Sequence, residues 1–194
     1  MIKARATKLD GVLIIEAKSF ADERGLFAEQ WNAAHYREAG LDLDVRQVNY
    51  SISRQGVLRG LHFQEPKAQG KLVCMTAGEI YDVAVDIRKG SPDFGRHVGI
   101  HLTSDPPLQL WIPPGFAHGY AVLSASATLL YVVTDHVYDP SVSRTILWND
   151  PDLGIEWPLE NPLIAAKDAA AHPLKDTANL PIYRSAPERV ERHA

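Results

Sequence analysis

Beyond Val45 the chain alternates apolar and polar residues in short runs, the period-two pattern of strands with one buried face. The runs are V-R-Q-V-N-Y-S-I-S, G-V-L-R-G-L-H-F, K-L-V-C-M-T-A, E-I-Y-D-V-A-V-D-I, G-R-H-V-G-I-H-L, L-Q-L-W-I, G-Y-A-V-L-S, A-T-L-L-Y-V-V-T and T-I-L-W. Turn residues stand between them at Gln55-Gly56, Ala77-Gly78, Lys89-Gly90-Ser91-Pro92, Asp105-Pro106-Pro107 and Pro113-Pro114-Gly115. So many short strands at this spacing predict an all-β sandwich or barrel rather than alternating β and α units. Before Val45, residues 3–16 read as an extended piece ending in the strand V-L-I-I, then a turn over Asp22–Gly25 and a short element over Leu26–Trp31. Helix formers ending at Gly40 predict a short helix over 32–39, and A-A-K-D-A-A-A supplies a weaker one near the C-terminus. No repeat, linker or low-complexity block divides the chain. One domain is expected over residues 1–182, with a flexible polar tail over 183–194.

Composition narrows the function classes. A chain of 194 residues has the length of one domain and can bury a full core. A formal charge of −4 and a pI near 6.0 argue against a nucleic-acid partner, though not against a local cationic pocket for an anionic small molecule. The single cysteine, Cys74, lies in the apolar run L-V-C-M and reads as a buried thiol, which leaves no disulfide framework and no zinc-type spacing. No window approaches a membrane span, and the N-terminus lacks the apolar stretch of a signal peptide. A cytoplasmic protein with no membrane partner is expected.

Candidate chemistry gathers around Arg59–Lys71, R-G-L-H-F-Q-E-P-K-A-Q-G-K. Strict alternation would point Arg59 and Leu61 to one face and Gly60 and His62 to the other. His62 is the one side chain in this stretch able to move a proton near neutral pH without a large pKa shift. Gln47, Asn49 and Ser51 alternate with Val48, Tyr50 and Ile52, and form either the solvent face of an edge strand or a polar pocket wall. In W-I-P-P-G-F-A-H-G-Y, two prolines and Gly115 force a tight turn before His118. A histidine so placed would suit a metal site, but H-F-Q at His62 lacks the paired histidines such a site needs. Tyr131 is a phenol in the apolar strand L-Y-V-V, where a structural hydroxyl and a proton donor are both open readings. Lys167-Asp168 is either a solvated helix face or the source of a carboxylate reaching back to a histidine.

Taken together, these stretches resemble the RmlC-type dTDP-4-dehydrorhamnose 3,5-epimerases, a cupin-like family of nucleotide-sugar enzymes. The likeness runs from about Phe20 to Asp168 through D-E-R-G-L-F-A-E, Q-V-N-Y-S, G-V-L-R-G-L-H-F-Q, A-Q-G-K-L-V, S-P-D-F-G, W-I-P-P-G-F-A-H-G-Y and I-L-W-N-D-P-D-L-G-I-E-W-P. The resemblance implies a cupin-like jelly roll with short peripheral helices. It implies a cofactor-independent isomerase, without metal, acting on a dTDP-linked 4-keto-6-deoxyhexose. By the same resemblance His62 is the base, Asp168 the carboxylate that orients it, Tyr131 the acid on the opposite face, and Lys71 the cation at the sugar oxygen. Arg24 and Arg59 are implied pyrophosphate contacts, and Phe20, Phe27 and Glu29 contacts to the base and deoxyribose. Gln47, Asn49, His118, Lys167 and Tyr138 are implied elsewhere along the substrate. A homodimer with exchange of an N-terminal strand is implied as well, and would cover the edge that V-L-I-I otherwise leaves exposed.

The chain departs from the family pattern after Tyr131, where Val132 to Pro140 is one residue longer, and at Ser143-Arg144-Thr145, where relatives often carry a glutamate. Both changes lie beside the sugar pocket. They leave open a C3- or C5-only epimerase or a ketoisomerase-like relative. A non-catalytic sugar-nucleotide-binding cupin and a metal-dependent cupin enzyme are the readings from other classes.

Overall fold

The alternation builds two antiparallel sheets in a computed structural model that describes residues 2–184. In chain order the elements are β1 (Lys3–Ala6), β2 (Leu13–Glu16), β3 (Lys18–Asp22), β4 (Gly25–Glu29), α1 (Ala33–Glu38), β5 (Val45–Arg54), β6 (Leu58–Gln64), β7 (Gly70–Ala77), β8 (Glu79–Asp86), β9 (His97–Thr103), β10 (Leu108–Ile112), β11 (Phe116–Val122), β12 (Ser126–Thr134), β13 (Ser143–Thr145) and α2 (Ala166–Ala169). One sheet has the order β1-β2-β10-β7-β12-β5 and the other β13-β6-β11-β8-β9, while β3 and β4 form a separate hairpin. This is the expected all-β, cupin-like architecture with short peripheral helices. The expected helix over 32–39 forms because Asn32 caps it, accepting hydrogen bonds from the backbone of Ala34 and His35, and Gly40 leaves it at φ +87°.

The inward faces of the two sheets share one apolar core. Ile14, Val73, Leu110 and Leu129 from the first meet Ile80, Val98, Phe116 and Val122 from the second. The outer face of the six-stranded sheet is covered by α1, with Tyr36 buried beside Leu72, Cys74 and Trp111. Leu61, Phe63, Val83 and Val85 form the outer face of the other sheet and pack under Leu153, Leu174 and Leu180. That covering continues past the expected domain boundary. Tyr183 lies with its ring 5.0 Å from the Arg88 guanidinium and donates its N–H to the Lys89 carbonyl, so it belongs to the fold rather than to a tail. The rest of the expected tail, from residue 185, falls outside the described residues.

Three expectations change. The V-L-I-I strand is not an exposed edge, because β2 lies between β1 and β10 of its own sheet. The strand expected at T-I-L-W stops at Thr145, and Ile146 instead exchanges backbone hydrogen bonds with Leu61. Most important for the site, strict alternation fails in β6. His118 pairs with His62 but Tyr120 pairs with Arg59, so β6 holds one residue more than β11 across this interval. A bulge of this kind re-aims side chains. Leu61 faces the outer core, while Arg59 and His62 line the same interior cleft.

Gly60 makes the bulge feasible. It sits at φ +126°, and a Cβ there would lie 2.5 Å from the Gly119 Cα and 2.9 Å from the His118 carbonyl. Both neighbours are backbone and cannot swing away. Gly60→Ala is expected to destabilise the fold by about 2–4 kcal/mol through combined strain and overpacking. Urea unfolding checks this, and a midpoint equal to the parent's would contradict it.

Candidate active site

The apolar core fills one end of the sandwich and leaves the other end open as a polar cleft of about 210 Å³. Its lining includes Asn49, Arg59, His62, Lys71, His118, Tyr131, Tyr138 and Lys167. Eight of the expected site residues are therefore brought together from β5, β6, β7, β11, β12, α2 and the loop after β12. Gln47 stands beside them, donating its amide to Asn49 at 2.8 Å and accepting the Tyr138 N–H at 2.9 Å. The face of Gln47, Asn49 and Ser51 is thus a pocket wall, and it is the opposite face of β5 that meets solvent.

His62 is held from far along the chain. Asp168, on α2, is buried with its side chain 2% exposed, and its Oδ1 accepts a hydrogen bond from His62 Nε2 at 2.8 Å. The N–H of Gly60 in the bulge donates to the other carboxylate oxygen at 3.4 Å. Burial alone would raise the Asp168 pKa, but the hydrogen bond and charge of His62 outweigh it and hold the carboxyl below its usual range. An ionised carboxylate only accepts, so Nε2 carries the hydrogen and Nδ1 keeps its lone pair. Burial pulls the His62 pKa down, Asp168 opposes that, and Lys71 and Lys167 add to the lowering. The imidazole is consequently neutral near pH 7 and fit to accept a proton.

The other charged groups are set by burial too. Burial brings the Lys71 ammonium down to about 8, against the attraction of Asp82, and its Nζ donates to the His62 carbonyl at 3.3 Å. Asp82 is fully buried and accepts a short 2.6 Å hydrogen bond from His118 Nε2. Burial, with Tyr120 next, pushes the Tyr131 phenol well above its usual value, so it stays protonated. The cleft therefore offers a neutral base, a protonated phenol and a cation.

The remaining expected residues lie elsewhere in this chain. Phe20, Arg24 and Phe27 line a separate groove on the β3–β4 hairpin, where Arg24 pairs with Asp22. Glu29 is engaged by His35 at 2.6 Å and by Asn32. Several functional side chains escaped sequence reasoning. Ser53 and Tyr120 extend by two residues the inward faces already marked by Ser51 and His118, so simple continuation of the period would have found both. Asp82 is the one carboxylate within I-Y-D-V-A-V, a signal in itself. Gln64 joins the cleft to the loop after β12, donating to the Lys67 and Val137 carbonyls and accepting the Asp139 N–H at 2.7 Å.

Comparison with known proteins gives this geometry its context. A family model described as dTDP-4-dehydrorhamnose 3,5-epimerase matches residues 6–176. A relative of that name from Shigella flexneri is 52% identical over 84% of this chain and 90% of its own. Another, from Salmonella typhimurium, is 52% identical over 90% of this chain and 96% of its own. The crystal structure of a dTDP-6-deoxy-D-glucose-3,5-epimerase from Legionella pneumophila, in complex with dTDP-4-keto-L-rhamnose, superposes with a TM-score of 0.91 at 47% identity, covering 95% of this chain and 100% of that one.

The His62–Asp168 contact has a direct spectroscopic consequence. Asp168 raises the His62 pKa against burial, so Asp168→Asn is expected to move it still further below the ordinary 6.5. An NMR titration of the imidazole reads the shift. An unchanged midpoint would mean that the carboxylate does not hold the imidazolium.

Proposed function

The chain belongs to the dTDP-4-dehydrorhamnose 3,5-epimerase family, and from that membership we propose that it inverts C3 and C5 of dTDP-4-dehydro-6-deoxy-D-glucose to give dTDP-4-dehydro-L-rhamnose. The observation that carries this reading is the placement of His62 and Tyr131. His62 stands on β6 of one sheet and Tyr131 on β12 of the other, and both line one cleft. Inversion needs a base and an acid on opposite faces of a carbon, and a sugar ring seated between two sheet layers meets both.

The chemistry follows from the groups present. The 4-ketone acidifies the hydrogens on C3 and C5. Nδ1 of His62 takes one of them, and Asp168 stabilises the imidazolium that forms. Charge moves to the ketone oxygen, where the Lys71 ammonium stabilises the enolate. Tyr131 then delivers its proton from the opposite face. Arg59 suits the pyrophosphate, because its fork can pair two phosphate oxygens. Gln47, Asn49, His118 and Lys167 wall the sugar, with Tyr138 at the mouth.

The substrate's nucleotide end draws a second copy into the proposal. Phe20, Arg24, Phe27 and Glu29 lie on the hairpin, apart from the cleft of their own chain. Phe27 is 70% exposed, and on edge strand β5 Val48, Tyr50 and Ile52 are 59%, 70% and 65% exposed in a row. An apolar stripe of this kind calls for a partner. A homodimer built across it, with the hairpin supplied to the partner's cleft, unites the two halves of the expected site. Replacing Tyr50 and Ile52 together by Asp is expected to give monomers by sedimentation velocity, with KM raised more than kcat is lowered. A native dimer in that variant would refute the interface.

Product stereochemistry tests the activity. In deuterated water, NMR should find solvent label at both C3 and C5 of the product. Label at one centre only would make the protein a single-centre epimerase, and no turnover would leave it a binding protein. The pH profile of kcat/KM should be a bell. Activity rises with pH as His62 loses its proton below its ordinary 6.5, and falls as Lys71 loses its own near 8. In Lys71→Met the alkaline limb should vanish and kcat should fall about 10²–10³-fold.

A further inference from the structure

Behind Tyr131 runs a line of hydroxyls that the reaction as described does not use. Tyr131 Oη lies 3.3 Å from Ser51 Oγ, and Ser51 Oγ lies 3.1 Å from Tyr120 Oη. Tyr120 Oη is 3.2 Å from Ser53 Oγ, which accepts a hydrogen bond from Arg59 Nε at 3.1 Å. Tyr120 and Ser53 are buried, 2% and 4% exposed. The line therefore starts at the side chain suited to the pyrophosphate and ends at the acid.

Its direction is fixed by what each group can donate. A guanidinium has no acceptor, so Ser53 receives at the Arg59 end. Ser53 can then donate to Tyr120, Tyr120 to Ser51 and Ser51 to Tyr131. In the opposite order the Ser53 hydrogen would face a donor and be stranded among buried groups. The forward order satisfies every buried hydroxyl and gives Tyr131 a donor rather than an acceptor. The phenol's own hydrogen is then free to face the sugar.

We infer that Tyr120, acting through Ser51, is a positioning residue that aims the Tyr131 proton into the cleft and stabilises the phenolate left when that proton is delivered. The inference rests on Tyr131 being the acid. In the step itself, the enolate's carbon–carbon π pair forms the new C–H bond while the Tyr131 O–H bond breaks. The ketone is restored, and one negative charge passes from the enolate oxygen to Tyr131. Hydrogen bonds to an ionised oxygen are shorter and about twice as strong as neutral ones. The 3.3 Å contact from Ser51 therefore tightens as the charge arrives, which favours the transition state over the ground state.

Tyr120→Phe keeps the ring and removes the hydroxyl. The informative experiment follows the 4-keto sugar nucleotide by NMR in deuterated water, with wash-in of label into unreacted substrate reporting the His62 half-reaction and product formation reporting the Tyr131 half. In Tyr120→Phe, inversion is expected to slow about tenfold, the worth of one hydrogen bond to a developing charge. KM should stay within about twofold, and wash-in should hold at the parent rate, so the ratio of exchange to inversion rises about tenfold. Ser51→Ala should change the ratio in the same direction, and Tyr131→Phe should raise it further. Exchange and inversion falling together in both Tyr120→Phe and Ser51→Ala, or neither changing, would overturn the inference while Tyr131→Phe still upholds the acid. Inversion at the parent rate in Tyr131→Phe would instead overturn the assignment of the acid itself.

Discussion

Everything at the cleft depends on how closely two backbones approach each other at Gly60 and Gly119. A Cβ on Gly119 would meet the Arg59 carbonyl at 2.8 Å, just as one on Gly60 would meet Gly119. With neither present, β6 can take an extra residue against β11 and still pair on both sides of it. The consequences are all local and all needed. Arg59 and His62 share a face, Leu61 turns outward to the second core, and the Gly60 N–H is freed to hold Asp168. An orientation that would otherwise need two strands is thus obtained within four residues of one.

The second constraint is the sorting of the interior into a dry end and a polar end. Apolar packing at one end supplies the stability, and it also supplies the low-polarity wall against which the charges of the other end act. His62, Tyr131 and Lys71 are each displaced by that wall in the direction the proposed reaction needs. The imidazole is kept neutral, the phenol is kept protonated, and the ammonium is brought down to about 8 yet not discharged at neutral pH. Asp168 and Asp82 are the counterweights, each buried and each bonded to one histidine. Without them the same burial would discharge His62 and Lys71 more completely.

Most of the strands could be located along the chain because the period of two and the Gly and Pro turns are local signals, whereas their order in the sheets could not. Legibility stopped where a contact between distant residues overrides the period. Alternation assigns Arg59 and His62 to opposite faces, and only the pairing with β11 reveals the bulge. Asp168 sits in an alanine-rich stretch that looks like a solvated helix, and what buries it is β6, far back in the chain. The face of Gln47, Asn49 and Ser51 posed the reverse difficulty. A polar wall facing in and an apolar stripe facing out have the same alternation as an ordinary edge strand, so pattern alone cannot orient β5. The resemblance to a known family named the base, acid and carboxylate, but carried no information on the groups behind them. The period reaches Ser53 and Tyr120, and Asp82 stands out as a carboxylate within its strand, but only the placed side chains show what each of them bonds.

In the reaction proposed for this cleft, the division of labour between the sheets explains why the acid and the base are supported so differently. As the proposed base, His62 passes from neutral to cationic, and a cation is best stabilised by a fixed anion, so a single buried carboxylate beside it suffices. As the proposed acid, Tyr131 passes from neutral to anionic within reach of Asp82, whose charge opposes that change. A cation placed directly against the phenol would ease the opposition, but it would also draw the proton off before the sugar arrived. Neutral donors in line avoid this. They respond little while the phenol is intact and strongly once it is charged, because hydrogen bonding strengthens with the charge of the acceptor. A base backed by a carboxylate and an acid backed by hydroxyls are therefore two solutions to one requirement, that support should appear chiefly in the transition state.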